Sequence, residues 1–91
     1  MYKVEFTKQA AKDLQSLDKY TKRMIFAWIE KNLDGCADPY VHGKALKGTL
    51  RGYWRYRIGD YRLICEIQDN ELIILALRVG HRRDIYKKAL N

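Results

Sequence analysis

The sequence has little of what metal and cofactor chemistry requires. Its two cysteines, Cys36 and Cys65, and its two histidines, His42 and His81, fall in no metal-ligand spacing. There is no glycine-rich phosphate loop, no dinucleotide fingerprint and no nucleophile elbow, and Ser16 is the only serine. No metal and no cofactor is therefore expected. Two well-separated cysteines read as reduced thiols rather than as a disulfide framework, and Cys65, in an apolar stretch, reads as a small core residue. No apolar run reaches the about eighteen residues of a membrane span. The opening Met1-Tyr2-Lys3-Val4-Glu5-Phe6 lacks the apolar stretch of a secretory signal. A cytoplasmic protein with no membrane partner is the expectation.

Acidic residues are also scarce, at 11 against 18 lysines and arginines in 91 residues, for a net charge of +7. The excess is not spread evenly. Residues 1–38 carry seven bases and six acids, and residues 66–91 carry five and four. Residues 39–65 carry Lys44, Lys47, Arg51, Arg55, Arg57 and Arg62 against Asp60 alone. Concentrated positive charge suits a polyanion, of which nucleic acid is the commonest. A solvated basic surface without a partner is the plain alternative. The length suits a single domain over residues 1–91, with a thin core built partly from seven Tyr, two Trp and two Phe.

Val4 and Phe6 alternate with polar neighbours as a short strand does. Thr7 is placed to cap a helix of about three turns with Ala10, Leu14 and Leu17 on one side. Asp18 is placed to cap a second helix, with Met24, Ile25, Trp28, Ile29 and Leu33 as its apolar stripe and Gly35 as its stop. Residues 34–52, punctuated by glycine and Pro39 and rich in lysine, read as a long basic loop that Ala45 and Leu46 anchor. Three strands follow, over residues 53–58, 61–68 and 71–79, with tight turns at Gly59-Asp60 and Asp69-Asn70. Gly80 then breaks the last strand, and residues 82–90 read as a terminal helix packing through Ile85, Ala89 and Leu90. The predicted fold is α+β: a small antiparallel meander with a helical hairpin on one face and a short C-terminal helix.

Strand alternation puts Trp54, Tyr56 and Ile58 on one face and Arg55 and Arg57 on the other, the two arginines roughly 7 Å apart. In the next strand Arg62, Ile64 and Glu66 point away from Tyr61, Leu63, Cys65 and Ile67. The turn brings Arg57 beside Arg62, so three arginines share one face. Like charges set opposite one another destabilise a sheet, and an anion lying across them gives the arrangement a purpose. Pairing with Glu66 and Asp84 is the structural alternative. His81, near several arginines, is a candidate for moving a proton near neutral pH, and equally a plain helix-entry residue. Tyr86 can stack on a base or pack the helix. His42 is a weaker candidate than His81.

The run Leu50-Arg51-Gly52-Tyr53-Trp54-Arg55-Tyr56-Arg57-Ile58-Gly59-Asp60-Tyr61-Arg62-Leu63-Ile64 resembles the core of the RelE/ParE toxin superfamily, and so does the ending Val79-Gly80-His81-Arg82-Arg83-Asp84-Ile85-Tyr86. Phe6-Thr7 with the helix after it, Leu17-Asp18 and Lys44-Ala45-Leu46-Lys47-Gly48 extend the likeness over nearly the whole chain. The resemblance implies a microbial-ribonuclease-like fold and the toxin of a type II toxin–antitoxin system. It implies an endonuclease of the RelE branch that cleaves mRNA in the ribosomal A site. Its implied partners are the ribosome, mRNA and a cognate antitoxin, with a toxin–antitoxin heterotetramer as one assembly. The catalytic positions it implies are Arg55, Arg57, Arg62, Arg82 and Tyr86, with His81 at a turn where many relatives carry His. Lys44, Lys47, Arg51, Arg78 and Arg83 are the accompanying RNA-binding candidates. The best-known members carry lysines where Arg55 and Arg57 stand, and arginine is a poor base, which raises interest in His81. The alternatives are a ParE-like poison of DNA gyrase and a non-catalytic RNA- or partner-binding module of the same fold.

Overall fold

The computed structural model describes residues 1–88. Its elements run β1 (Lys3–Phe6), α1 (Lys8–Gln15), α2 (Lys19–Asn32), β2 (Lys44–Ala45), β3 (Trp54–Ile58), β4 (Tyr61–Gln68), β5 (Ile73–His81) and α3 (Ile85–Lys88). Both expected helix caps are present. Thr7 Oγ1 accepts from the Ala10 N–H at 3.1 Å, and its hydroxyl donates to the Leu77 carbonyl, tying the start of α1 to β5. Asp18 accepts from the N–H groups of Tyr20 and Thr21 and from the Thr21 hydroxyl. The first helix is shorter than its apolar spacing predicts. Ser16 turns its hydroxyl and N–H back onto the carbonyls of α1, and that closes the helix before Leu17.

The five strands form one mixed sheet in the order β1-β5-β4-β3-β2, with β1 parallel to β5 and the other pairs antiparallel. The expected meander of β3, β4 and β5 is its centre. One face carries Tyr56, Ile58, Leu63, Cys65 and Val79, and α1 and α2 cover it with Ala10, Leu14, Ile25, Ile29 and Leu33. Each large aliphatic buried there contributes about 1.5–3 kcal/mol. Burial also pushes the Cys65 thiol far above its usual range, so it stays protonated as a core residue.

The edges of the sheet are finished by side chains. β1 pairs only as far as Ala76, and Asp13 of α1 takes over where β1 stops. Its carboxylate accepts from the Val79 N–H at 3.0 Å, from Arg78 Nε at 2.9 Å and Nη2 at 3.2 Å, and from Gln9. Burial by itself would raise the Asp13 pKa. The bonds from Arg78, Val79 and Gln9 outweigh it and hold the carboxyl below its usual range. At the β4–β5 turn, Asp69 accepts from the hydroxyls of Tyr2 at 2.7 Å and Tyr40 at 2.8 Å. This joins the strand start, the segment after α2 and the turn.

Three expectations are corrected. The basic segment after α2 is not a simple loop: it adds β2 to the sheet edge and a 3-10 turn at Gly48–Leu50. Gly80 does not end β5, which runs on to His81, and Ile85 packs against the space where a Gly80 side chain would stand. Helix α3 stands apart from the hairpin and buries Ile85 against Ile64 on the other side of the sheet. Residues 82–84 form a turn before α3, and Ala89 and Leu90 lie outside the described residues. No helix among the described residues is long and apolar enough to cross a membrane.

Gly43 is the residue that seats β2. Its φ is +82°, and a Cβ there would lie 2.4 Å from the Arg55 carbonyl oxygen and 2.6 Å from Trp54 Nε1. Gly43→Ala is expected to cost on the order of 2 kcal/mol, from left-handed backbone strain and overpacking together. Urea unfolding of the two proteins checks this. An unchanged midpoint would mean that β2 and its neighbours shift without loss.

Candidate active site

Arg55 and Arg57 of β3 and Arg62 of β4 share the face turned away from α1 and α2. Arg57 stands directly opposite Arg62, and Arg55 stands opposite Ile64. The face is less open than alternation alone suggests. Ile64 is fully buried with Ile85, and Leu46, Leu50 and Tyr53 close around them. The segment after β2 and helix α3 thus build a second small core beside the arginine row.

Arg62 is only 9% exposed. Its Nη1 donates to the carbonyls of Gly59 and Tyr61, both at 2.9 Å, so the guanidinium is anchored to the β3–β4 turn. Burial and the positive charges of Arg57, Arg55 and Arg82 lower its pKa, while Tyr86 acts in the opposite sense. An arginine still keeps its charge at any working pH. Arg57 faces Arg62 across the β3–β4 pair. Arg55 Nη1 donates to the Tyr86 hydroxyl at 3.0 Å, which joins β3 to α3 across the site. That hydroxyl accepts from Arg55 and keeps its own proton free to donate. Arg55 Nε is buried with no acceptor among the described residues. Arg82 enters from the turn after β5. Its N–H donates to the Asp60 carbonyl at 2.8 Å, and its exposed guanidinium sits 3.8 Å from the Asp60 carboxylate, a weak pair in water.

His81 does not join this group. It pairs with Tyr61, one rung beyond the Arg62–Gly80 pair, so its side chain takes the opposite face from Arg57 and Arg62. Its ring edges onto Tyr61 at 5.5 Å, and its Nδ1 accepts from the Arg83 N–H at 3.1 Å. That is the plain helix-entry role. Arg78 is likewise drawn away, with its guanidinium on Asp13 and its side chain 13% exposed. Lys44 is exposed and stands opposite Arg55 on the arginine face. Lys47, Arg51 and Arg83 are exposed as well. His42 is exposed and edges onto Trp28 at 5.7 Å. Trp28 had the spacing of a core residue, and only its partial exposure separates it from that role. Among the described residues no group of three or more His, Cys, Asp or Glu is placed to hold a metal ion.

The chain is similar to known toxins over most of its length. The model of the family described as the ParE toxin of the type II toxin–antitoxin system parDE matches residues 4–86. Toxin RelG of Mycobacterium tuberculosis is 38% identical over 88 residues, covering 96% of this chain and 98% of that protein. A putative RelE-like toxin protein of Escherichia coli is 35% identical over 91 residues, covering 97% and 93%. Among solved structures, a chain of the toxin–antitoxin complex RelBE2 from Mycobacterium tuberculosis superposes with a TM-score of 0.81 at 33% identity, covering 89% of this chain and 98% of that one.

Proposed function

Because this chain belongs to the ParE/RelE toxin family of type II toxin–antitoxin systems and is a RelE-like toxin, we propose that it is an endoribonuclease that cuts mRNA in the ribosomal A site and so stops translation. The observation that carries the reading is the arginine face itself: Arg57 stands opposite the nearly buried Arg62, and Arg55 of the same strand bonds the Tyr86 hydroxyl.

RNA brings its own nucleophile, the 2′-hydroxyl. Its attack on the adjacent phosphorus forms the 2′-oxygen–phosphorus bond and breaks the bond to the 5′-oxygen. The products are a 2′,3′-cyclic phosphate and a 5′-hydroxyl. In this reading Arg57 and Arg62 hold the non-bridging oxygens as negative charge grows on them, and Arg82 adds to that field from the turn. Arg55 sets the Tyr86 hydroxyl, whose free proton faces the substrate and orients it. His81, on the other face, has no part in this arrangement. The cluster holds cations and one phenol, without a matched acid and base. Such a site works when another body aligns the RNA for in-line attack, and the ribosome supplies that alignment. An antitoxin protein, as in the solved complex of the mycobacterial relative, is the proposed partner that silences the toxin.

The test is primer extension on mRNA carried by programmed bacterial ribosomes, with and without the purified protein. Cuts at the A-site codon that vanish when ribosomes are omitted are the expected result. Cuts on naked RNA would make the protein a freer ribonuclease. Intact mRNA with a folded protein would favour the gyrase-poison reading, for which the ParE name of the matching family speaks. DNA breaks by purified gyrase would then be the positive sign.

A further inference from the structure

A cavity of about 300 Å³ lies at the free edge of β3, lined by Trp28, His42, Gly43, Lys44, Arg55 and Arg57. It sits where the two faces of the sheet meet. Trp28 comes from α2 on the helix face, and Lys44, Arg55 and Arg57 belong to the arginine face. β2 pairs only with Trp54 and Arg55, so β3 beyond Arg55 has no strand on that side. The wall is held rather than loose. Trp54 Nε1 donates to the His42 carbonyl at 2.8 Å, and Gly43 lies against the β3 backbone so closely that no Cβ fits.

The chemistry of the lining is specific. Lys44, Arg55 and Arg57 supply positive charge, with no carboxylate on the wall. Trp28 and His42 supply aromatic surface, with their rings edge to face. Arg55 Nε is a buried donor that no described residue satisfies, a group that favours an acceptor nearby. Cations, aromatic surface and an orphan donor around a space at the small end of ligand pockets match one nucleotide, with its phosphate on the cations and its base on the rings. An acidic peptide would use the cations and leave the rings idle.

We propose that this cavity is a nucleotide subsite of the toxin, in which His42 and Trp28 receive the base of an mRNA nucleotide next to the one being cut. The proposal rests on the ribonuclease reading, and it makes His42 and Lys44 determinants of which codon is cleaved. Cleavage itself stays with Arg57, Arg62 and Tyr86.

The test is nuclear magnetic resonance of the labelled toxin, titrated separately with the four nucleoside 5′-monophosphates and with inorganic phosphate. Saturable shifts of the Trp28 indole N–H and the His42 and Gly43 resonances are expected. At least one nucleotide should bind about five-fold or more tightly than phosphate, the lower end of what stacking a base on an aromatic ring contributes. His42→Ala should weaken that nucleotide about five-fold, and Lys44→Gln should weaken nucleotide and phosphate alike. Both side chains are exposed, and His42 uses its carbonyl to hold Trp54, so both variants keep the fold. On ribosomes His42→Ala should change the ratio of cut sites between codons several-fold. Shifts confined to Arg62, Arg82 and Tyr86 would overturn the subsite, as would phosphate acting as well as any nucleotide, or His42→Ala binding like the parent. The two readings fail separately. Ribosomal cuts without nucleotide in the cavity remove the subsite alone, whereas a nucleotide held there with mRNA left intact removes the nuclease.

Discussion

Arg62→Ala is expected to lower ribosome-dependent mRNA cleavage by about 10²- to 10³-fold, the scale on which one preorganised charge-stabilising group acts in a water-poor site. Arg62 lies opposite Arg57, and its anchors on the Gly59 and Tyr61 carbonyls fix its guanidinium before substrate arrives. The fold should tolerate the change. Two turn carbonyls lose a donor, for about 1 kcal/mol each, while the repulsion from Arg57 directly opposite is relieved. Single-turnover cleavage on ribosomes, measured beside thermal unfolding of the same variant, separates the two effects. Arg62→Lys is the sharper control. It restores the charge but not the planar guanidinium whose Nη1 meets both carbonyls, so it should recover little. A fully active Arg62→Ala protein would reduce Arg62 to a turn clamp and would count against the site.

Asp13→Ala is expected to cost about 3 kcal/mol, the scale of breaking a largely buried ion pair. Asp13 is 8% exposed, and its loss takes from Arg78 a two-point partner and from the Val79 N–H its acceptor at the edge of the sheet. Urea unfolding at neutral pH measures it. The same carboxylate predicts the acid limb of stability. Its pKa is lower in the folded chain than in the unfolded one, so the unfolded chain binds more protons as pH falls. The contribution is complete above the ordinary carboxylate range and disappears as pH drops through the lowered folded-state value. Asp18 and Asp69 are shifted the same way by their hydrogen bonds from Thr21 and from Tyr2, and steepen the same limb. Asp13→Asn should therefore be less stable than the parent at pH 7 and close the gap as pH falls below the ordinary carboxylate range. A gap that stays constant with pH would show that Asp13 matters by shape and not by charge.

Two different charge arrangements lie on the two sides of β5. On the α1 side an acid and an arginine are matched and largely dry. On the other side arginines are gathered with, among the described residues, only the loose Arg82–Asp60 contact to an acid. The charge balance along the chain pointed at the second group and was blind to the first, because Arg78 and Asp13 are far apart in sequence.

Whatever depends on local spacing was determined by the sequence alone. Thr7 and Asp18 cap their helices because a short oxygen side chain before a helix has orphan N–H groups within reach. Arg55, Arg57 and Arg62 share a face because a strand's side chains alternate and a two-residue turn fixes which rungs meet. Whatever depends on distant chain segments was decided by the tertiary structure. His81 and Arg82 are adjacent in sequence, yet only the β4–β5 register sends His81 to the helix face, and the turn carries Arg82 toward Arg62. Arg78 looked like one more cation for RNA until α1 brought Asp13 to it. The cavity with Trp28 exists because α2, the Gly43 turn and the β3 edge converge there, three pieces whose approach no local periodicity encodes.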